Sequence, residues 1–259
     1  MIQLTSAQLD AWIMAFLYPA TRILSLLTVA PPFNNPALST RIRLILGIAI
    51  TVAIMPTLPP IRGIQPATFT GLLVLAEQML IGFSMGFALR LIFAAIDMAG
   101  FMIGNQAGLG FATAYDPQNT AQTQVTSEFL GILALLLFLA IDGHLMVIAT
   151  IANSFTVLPI GIALPAAGSW KNLVSAGSIV FSSGIFLALP IVVTLLIGNV
   201  AVAILGRVAP QLNLMAIGFP ITIVLGFTTL LLGMSYLDSP LRQLFEYGLL
   251  SMNGFFVAR

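Results

Sequence analysis

The sequence predicts an all-α, multi-helix protein of the integral membrane type, and two observations carry that prediction. Of its 259 residues, 59% are hydrophobic and only 7% are charged, whereas a soluble domain carries about 25% charged residues. The apolar residues are gathered in six runs, and in lipid a helix satisfies its own backbone hydrogen bonds. The net charge of +1 argues against a nucleic-acid-binding protein, which would show a basic patch.

The first three apolar runs differ strongly in length. The first extends from Leu9 to Ala30, with Pro19 expected to bend it. The second, Leu44 to Met55, is short for a membrane span of roughly 20 residues. The third runs from Gly71 to Gly104. At about 1.5 Å per residue it would measure roughly 50 Å, against a hydrocarbon core of about 30 Å. This run must therefore tilt steeply, break or project from the bilayer.

The later runs contain prolines and one polar interruption. The fourth, Phe129 to Ala152, is interrupted by Asp142-Gly143-His144, and a loop rich in proline and glycine is expected to follow as far as Lys171. The fifth, Ile179 to Leu205, contains Pro190, and the sixth, Leu214 to Leu237, contains Pro220. Because proline removes a backbone donor and crowds the preceding turn, both helices are predicted to bend.

A separate amphipathic helix is predicted at the C-terminal end of the chain. Ser239 is a suitable N-cap, and Pro240 would occupy the first helical position. Apolar side chains then recur at helical spacing, at Leu241, Leu244, Phe245 and Leu249. Such a helix is expected to lie on a partner or on a membrane interface.

The longest polar stretch follows the third run, between Gly100 and Glu128. It opens with glycines four residues apart, and Gly82 and Gly86 precede them at the same spacing, which is typical of close helix contacts. The glycines expected at such contacts are Gly82, Gly86, Gly100 and Gly104. The rest is polar but nearly uncharged, so at membrane depth it must be buried by protein or line a watery cavity. A channel opening and a flexible surface loop are the two interpretations.

Six ionisable residues lie in or beside the apolar runs, where a charge costs about 2.5–3.5 kcal/mol at the bilayer centre. They are Arg22, Glu77, Arg90, Asp97, Asp142 and His144. One interpretation is a proton or ion relay, and the other is structural ion pairing or contact with another subunit. The sequence contains no nucleophile–base pair, metal-ligand spacing or phosphate loop, and no cysteine. It therefore predicts no catalytic residue, no metal site and no cofactor.

Two motifs resemble a known family. GRVAPQLNLMAIGFP (206–220) and GLGFATAYDPQ (108–118), together with the Asp-Gly-His at 142–144, are similar to the R subunits of the flagellar protein-export gate, which have a paralogue in virulence type III secretion. The resemblance extends over essentially the whole chain, with Tyr115 standing where the family more often has phenylalanine. It implies a protein of the bacterial inner membrane, at the flagellar basal body, that is not an enzyme.

The resemblance also implies an architecture and partners. One R chain joins several P and Q subunits, with no nucleic acid, in a helical ring through which unfolded polypeptides are exported. Residues 1–175 would be P-like, with a plug loop at 105–127; residues 176–238 would be a Q-like helix hairpin, and 239–259 an amphipathic tail. The implied pore and plug residues are Gln106, Gly108, Leu109, Gly110, Phe111, Tyr115, Asp116, Pro117, Gln118 and Gln122. The B subunit would lie at the cytoplasmic entrance, near Arg207, Pro210, Gln211 and Asn213.

An alternative function from a different class is a small-solute secondary transporter with broken helices. Its support in the sequence is the presence of Pro190 and Pro220 in successive apolar runs.

Overall fold

The computed structural model describes residues 6–59, 64, 67–109, 125–161, 167–209 and 214–254. Within these ranges the regular structure is entirely helical, which confirms the predicted fold class. The helices are α1 Ser6–Val29, α2 Thr40–Ile54, α3 Phe69–Gln106, α4 Val125–Ala140, α5 Gly143–Val157, α6 Ala167–Ala176, α7 Ser178–Val208 and α8 Leu214–Gly254, with a 3-10 turn at Met55–Thr57 after α2.

Five helical segments of the described chain are long and apolar enough to cross a membrane. They are Asp10–Val29, Thr40–Thr57, Phe69–Gln106, Trp170–Val208 and Pro220–Met252. Helices α4 and α5 together form a bent pair that would make a sixth. This number agrees with the six apolar runs of the sequence, and the protein is an all-α membrane protein with a bent helix pair.

Helix α2 begins earlier than the hydrophobic pattern indicates. The sequence places its start near Leu44, whereas the structure starts it at Thr40. The Ser39 side chain accepts a hydrogen bond from the Ile42 amide at 3.4 Å, and Arg43 donates from Nε to the Phe33 carbonyl at 3.1 Å. Because the cap supplies an acceptor for an otherwise unpaired amide, the polar first turn is helical. With the 3-10 turn the segment reaches 18 residues.

The third run forms one helix of 38 residues, α3. At about 1.5 Å per residue it is about 57 Å long, nearly twice the thickness of a hydrocarbon core. The fourth run breaks at the predicted polar interruption. Asp142 has a left-handed backbone conformation, with φ 57° and ψ 25°, which aspartate tolerates better than most residues. Its carbonyl accepts the amides of Leu145 and Met146 and so starts α5.

The connection after α5 contains a helix that the sequence does not predict. Residues up to Lys171 are expected to form a loop, but α6 extends from Ala167 to Ala176. Pro165 precedes this helix rather than interrupting it, and no proline follows before α7. The prolines therefore limit only the start of α6, since proline is tolerated before and at the first turn.

The predicted start of a tail helix at Ser239 is wrong. Helix α8 continues from Leu214 to Gly254 through both Pro220 and Pro240. A proline inside a helix costs about 3 kcal/mol because it removes one hydrogen bond and crowds the preceding turn. Continuation is favoured by burial, since Leu241, Phe245 and Leu249 beyond the proline all become less than a tenth exposed.

The apolar face of this tail packs against its own chain. The ring of Phe245 lies 5.5 Å from that of Phe93 and 5.1 Å from that of Phe138, centroid to centroid. Aromatic pairs at such separations stabilise a core beyond their buried area. The expectation that this face lies on a partner or a membrane interface therefore does not hold for Phe245, because the chain itself covers that side chain.

The chain divides into two compact units. The first unit comprises Met1–Leu91, Asp142–Ala176 and Glu246–Arg259, and the second comprises Ile92–Ile141 and Gly177–Phe245. In the first unit, Tyr18 of α1 donates to the Gly71 carbonyl at 3.3 Å. In the second unit, the three buried phenylalanine rings described above pack against one another.

Candidate functional site

The glycine-rich segment predicted as a plug begins at the C-terminal end of α3 and ends at the N-terminus of α4. Three of its candidate residues, Gln106, Gly108 and Leu109, lie within the described residues. Seven others lie outside them: Gly110, Phe111, Tyr115, Asp116, Pro117, Gln118 and Gln122. The described part of the site therefore consists of the two helix ends that flank this segment.

Helix α3 ends in a Schellman motif. The Gly108 amide donates to the Asn105 carbonyl at 3.1 Å, and the Leu109 amide donates to the Gly104 carbonyl at 3.0 Å. The φ of Gly108 is 82°. This left-handed conformation is required one residue past the C-cap, Ala107, and glycine adopts it without a steric penalty. The glycine at position 108 therefore stops the helix and starts the segment.

The last four carbonyls of a helix have no partner within it, and here all four are satisfied. Besides the two bonds of the Schellman motif, the Ala107 amide donates to the Ile103 carbonyl at 2.9 Å. The fourth carbonyl, that of Gln106, accepts a hydrogen bond from Nδ2 of Asn199 in α7 at 3.0 Å. Asn199 was not predicted as part of the site, although an amide in an apolar run is itself a signal of a polar contact.

Small residues surround this contact within the second unit. A Cβ at Gly226 of α8 would lie 2.6 Å from the Ala107 Cβ. A Cβ at Gly198 of α7 would overlap the Leu225 side chain of α8. A larger residue at Gly226 would therefore displace α3 or α8, whereas one at Gly198 would displace the Leu225 side chain. The end of α3 lies where α7 and α8 are also closely packed.

The start of α4 is attached to the same part of α3. Thr126 donates from Oγ1 to the Gly100 carbonyl at 2.8 Å, and Ser127 donates from Oγ to the Asp97 carbonyl at 3.0 Å. A Cβ at Gly100 would lie 2.8 Å from the Ser127 amide nitrogen. The flank at α4 is thus hydrogen-bonded to the last third of α3, whereas the flank at the end of α3 is hydrogen-bonded to Asn199 of α7.

The other three glycines predicted at close helix contacts, Gly82, Gly86 and Gly104, also lie in α3. A Cβ at Gly82 would lie 2.9 Å from the carbonyl carbon of Arg22 in α1 and would overlap its oxygen. A Cβ at Gly86 would lie 2.8 Å from the Leu26 carbonyl oxygen. These two glycines lie at a close contact between α1 and α3 in the first unit. Gly104 is buried, and its carbonyl belongs to the Schellman motif described above.

Arg22 is fully buried in the first unit. Its Nε and Nη2 both donate to Oε1 of Gln78 in α3, Nε at 2.8 Å. Its Nη1 donates to the carbonyl and the hydroxyl oxygen of Ser154 in α5, both at 3.1 Å. Nη2 also donates to the Leu158 carbonyl at 3.0 Å, and the guanidinium carbon lies 4.2 Å from the centre of the Phe155 ring. We call these five residues the Arg22 cluster.

The Arg22 cluster joins α1, α3 and α5, and the acceptors that solvate the guanidinium charge are uncharged oxygens. Ser154 and Leu158 lie at the C-terminal end of α5, where unpaired carbonyls and the helix dipole favour a cation. The planar guanidinium has five donors and suits such a site. Sequence reasoning identified Arg22 but missed Gln78 and Ser154, because both are uncharged and lie far along the chain.

The other ionisable candidates occupy different environments. Glu77 is half-buried and its Oε1 has no hydrogen-bond partner, and the same is true of Nδ1 in the half-buried His144. Arg90, Asp97 and Asp142 are exposed on this chain. Among the described residues no group of three or more histidine, aspartate or glutamate side chains could hold a metal ion.

The predicted hairpin between α7 and α8 is described only at its first residue. Arg207 is exposed in the last turn of α7, where a cation interacts favourably with the helix dipole. Pro210, Gln211 and Asn213 lie outside the described residues.

Comparison with known proteins assigns the chain to a family. Residues 13–248 match the family model described as "Bacterial export proteins, family 1". The chain is 42% identical over 230 residues to the flagellar biosynthetic protein FliR of Pectobacterium carotovorum subsp. carotovorum, covering 89% of this chain and 88% of that protein.

Two further relatives carry the same name. Identity is 39% over 228 residues with FliR of Escherichia coli K12, covering 88% of this chain and 87% of that protein. It is 30% over 238 residues with FliR of Aquifex aeolicus, covering 92% of each chain. The chain therefore belongs to family 1 of the bacterial export proteins, the family that includes the flagellar biosynthetic proteins FliR.

Proposed function

We propose that this chain is a non-catalytic subunit of the flagellar type III protein-export gate. With P and Q subunits it forms the channel through which unfolded flagellar proteins leave the cell. The observation that carries this proposal is membership of the export family over nearly the whole chain, with relatives named as flagellar biosynthetic proteins. The apolar helices of the chain support a location in the bacterial inner membrane, at the flagellar basal body.

We further propose that residues 105–127 act as the plug of this channel. The support comes from the two flanks: the end of α3 is hydrogen-bonded to α7 through the Gln106 carbonyl, and the start of α4 is hydrogen-bonded to α3 through the Gly100 carbonyl. A plug needs fixed ends and a middle that can rearrange around passing chains. The segment contains four glutamines and four threonines, and Asp116 is its one charged residue, so it offers a passing polypeptide no strong electrostatic attraction.

The exposed apolar surface supports assembly with other subunits. In the apolar segments Trp170–Val208 and Pro220–Met252, less than a quarter of the most apolar part is buried within this chain. Ile197, Leu231 and Leu232 are each two-thirds or more exposed. Such surfaces must meet lipid or neighbouring helices, because a large apolar surface is unfavourable in water. In the proposed assembly, the Q-like hairpin (residues 176–238) presents them.

One copy of this chain joins the P and Q subunits, with residues 1–175 in a P-like position and residues 239–259 as the tail. The B subunit contacts the cytoplasmic entrance at Arg207, which is exposed at the end of α7. Neither a cofactor nor nucleic acid takes part.

The transporter alternative loses its sequence support in the structure. Helix α7 passes through Pro190 and helix α8 passes through Pro220 without interruption. The broken helices that line the ion and substrate sites of many secondary transporters are therefore not found at these two prolines.

The plug proposal is tested by deleting residues 112–116 in the assembled complex. Ion conductance across the membrane at rest should rise, because a shortened segment cannot fill the channel. The complex should still form, since the described contacts of the flanking helices remain. Deletion of residues 162–166, in the connection before α6, provides the matched control and should not raise conductance.

Cysteine substitution tests the location of the segment independently. The chain has no cysteine of its own, so Phe111→Cys and Gln118→Cys introduce unique thiols. A membrane-impermeant thiol reagent should label them less when an export substrate is arrested in the channel. Equal labelling with and without substrate, together with a deletion variant that stays tight to ions, would contradict the plug proposal.

A further inference from the structure

Asn199 is an amide in an otherwise apolar part of α7, between Gly198 and Val200. Its Nδ2 donates to the Gln106 carbonyl at 3.0 Å, across 93 residues of sequence. The donor therefore comes from a different helix, whereas the other three terminal carbonyls of α3 are satisfied by local backbone amides. A polar side chain in an apolar helix is favourable where it finds such an interhelical partner.

We propose that Asn199 is the positioning residue that holds the C-terminal turn of α3 against α7. This inference rests on the proposed plug function, because its consequence is that the glycine-rich segment starts from a fixed point. The carbonyl it binds belongs to Gln106, two residues before the left-handed Gly108 that ends the helix. A shift of this turn would move the start of the segment with it.

The packing around the hydrogen bond supports a positioning role. Ala107, next to Gln106, is 2% exposed and lies against Gly226 of α8. Gly198, next to Asn199, lies against Leu225 of α8. The Asn199 amide therefore joins α7 to α3 at a place where α8 already contacts both Ala107 and Gly198, the neighbours of the two bonded residues. Small residues allow the approach, and Asn199 supplies the directional contact that packing alone lacks.

Two substitutions distinguish the effect of losing the hydrogen-bond donor from the effect of changing the side-chain volume. Asn199→Leu keeps a similar size but cannot donate, whereas Asn199→Gln keeps the amide on a longer side chain. Thr194→Val is the matched control in α7, because the Thr194 hydroxyl donates only within its own helix, to the Pro190 carbonyl at 2.8 Å. If Asn199→Leu does not assemble, Asn199→Ser, which is too short to reach Gln106, replaces it.

The first measurement uses Ala107→Cys as a reporter in the native complex. Its thiol should react slowly with a maleimide, since the alanine is buried. Adding Asn199→Leu should accelerate labelling by about three- to fifteen-fold, the factor that corresponds to one interhelical hydrogen bond. Asn199→Gln should restore part of the protection, and Thr194→Val should change nothing. Equal labelling in the Leu and wild-type backgrounds, or in the Leu and Gln backgrounds, overturns the inference.

The second measurement is resting ion conductance. Asn199→Leu should raise it by a smaller factor than the deletion of residues 112–116. If the deletion leaks while Asn199→Leu stays tight, the positioning role is refuted and the plug remains supported. If Asn199→Leu accelerates labelling but the deletion stays tight, Asn199 still holds the end of α3 and the plug function is refuted instead.

Discussion

Replacement of Arg22 by methionine tests whether the Arg22 cluster holds α1, α3 and α5 together. Methionine has a similar length and stays apolar, so it fills the space without donating a hydrogen bond. Two acceptors, Gln78 Oε1 and the Leu158 carbonyl, then lose the arginine donors that bind them. The two oxygens of Ser154 keep other contacts, because the carbonyl also accepts the Leu158 amide at 2.9 Å and the hydroxyl donates to Ile151.

The expected cost follows from these two acceptors. Each buried acceptor left without a partner costs about 1–3 kcal/mol, which gives roughly 2–6 kcal/mol for the pair. Loss of the contact between the guanidinium and the Phe155 ring adds about 0.5–2 kcal/mol. Removal of a buried charge that must be kept out of water offsets several kcal/mol. We therefore expect a net loss of about 2–4 kcal/mol.

The assay is the apparent Tm of the complex purified in mild detergent. For a chain of this size, 1 kcal/mol corresponds to about 2–4 °C, so Arg22→Met should lower the apparent Tm by roughly 4–16 °C. The matched control is Arg242→Gln, which removes an exposed ion pair with Asp238 at 3.0 Å. Exposed pairs between residues four apart in a helix contribute only about 0.3–0.5 kcal/mol.

Two further variants test the mechanism rather than the size of the effect. Arg22→Lys keeps the charge but not the planar fork, so it should not restore stability. Combining Arg22→Met with Gln78→Leu removes the unpaired oxygen, and the double variant should be more stable than the sum of the single effects predicts, by about 1–3 kcal/mol. Full stability of Arg22→Lys, or strict additivity in the double variant, would refute the hydrogen-bond explanation.

Three other substitutions have expected outcomes in the same thermal assay. Gly82→Ala places a Cβ on the backbone of α1 and should cost about 1–3 kcal/mol, whereas Gly254→Ala, with no atom within 4 Å of the added Cβ, should be neutral; equal effects would contradict the close contact. Gly108→Ala should cost about 1–2 kcal/mol because φ is 82°, and an unchanged Tm would argue against the Schellman end. Phe245→Ala empties a fully buried position and should cost about 3–5 kcal/mol, while the half-exposed Tyr247 offers the control Tyr247→Ala.

Much of the helical architecture was predictable from the positions and lengths of the apolar runs. The long third run became a single helix, α3, and the fourth run broke at Asp142 as the polar interruption indicated. Both features depend on local sequence, since a run of apolar residues forms a helix in lipid and the polar sequence Asp142-Gly143-His144 interrupts it. The prediction that a new helix starts at Ser239 was wrong, because burial of Leu241, Phe245 and Leu249 outweighs the local penalty of Pro240. That burial arises only in the folded chain.

The site was predictable only in part for a related reason. The spacing of Gly82, Gly86 and Gly100 was visible in the sequence, because close helix contacts require small residues at regular intervals. The partners of Arg22 and Gln106 were not visible, since they lie 56 to 136 residues away along the chain. Gln78, Ser154 and Asn199 are ordinary polar residues until the fold brings them to an unpaired donor or carbonyl.

The amino-acid sequence by itself determined that this protein consists of membrane helices with one polar, nearly uncharged interruption, because hydrophobicity and backbone hydrogen bonding act locally. Tertiary structure alone decided which helix ends are capped by distant side chains, as Arg22 does for α5 and Asn199 for α3. The physical reason is that a hydrogen bond between helices depends on their mutual placement. That placement results from packing over the whole of each unit and not from the residues on either side.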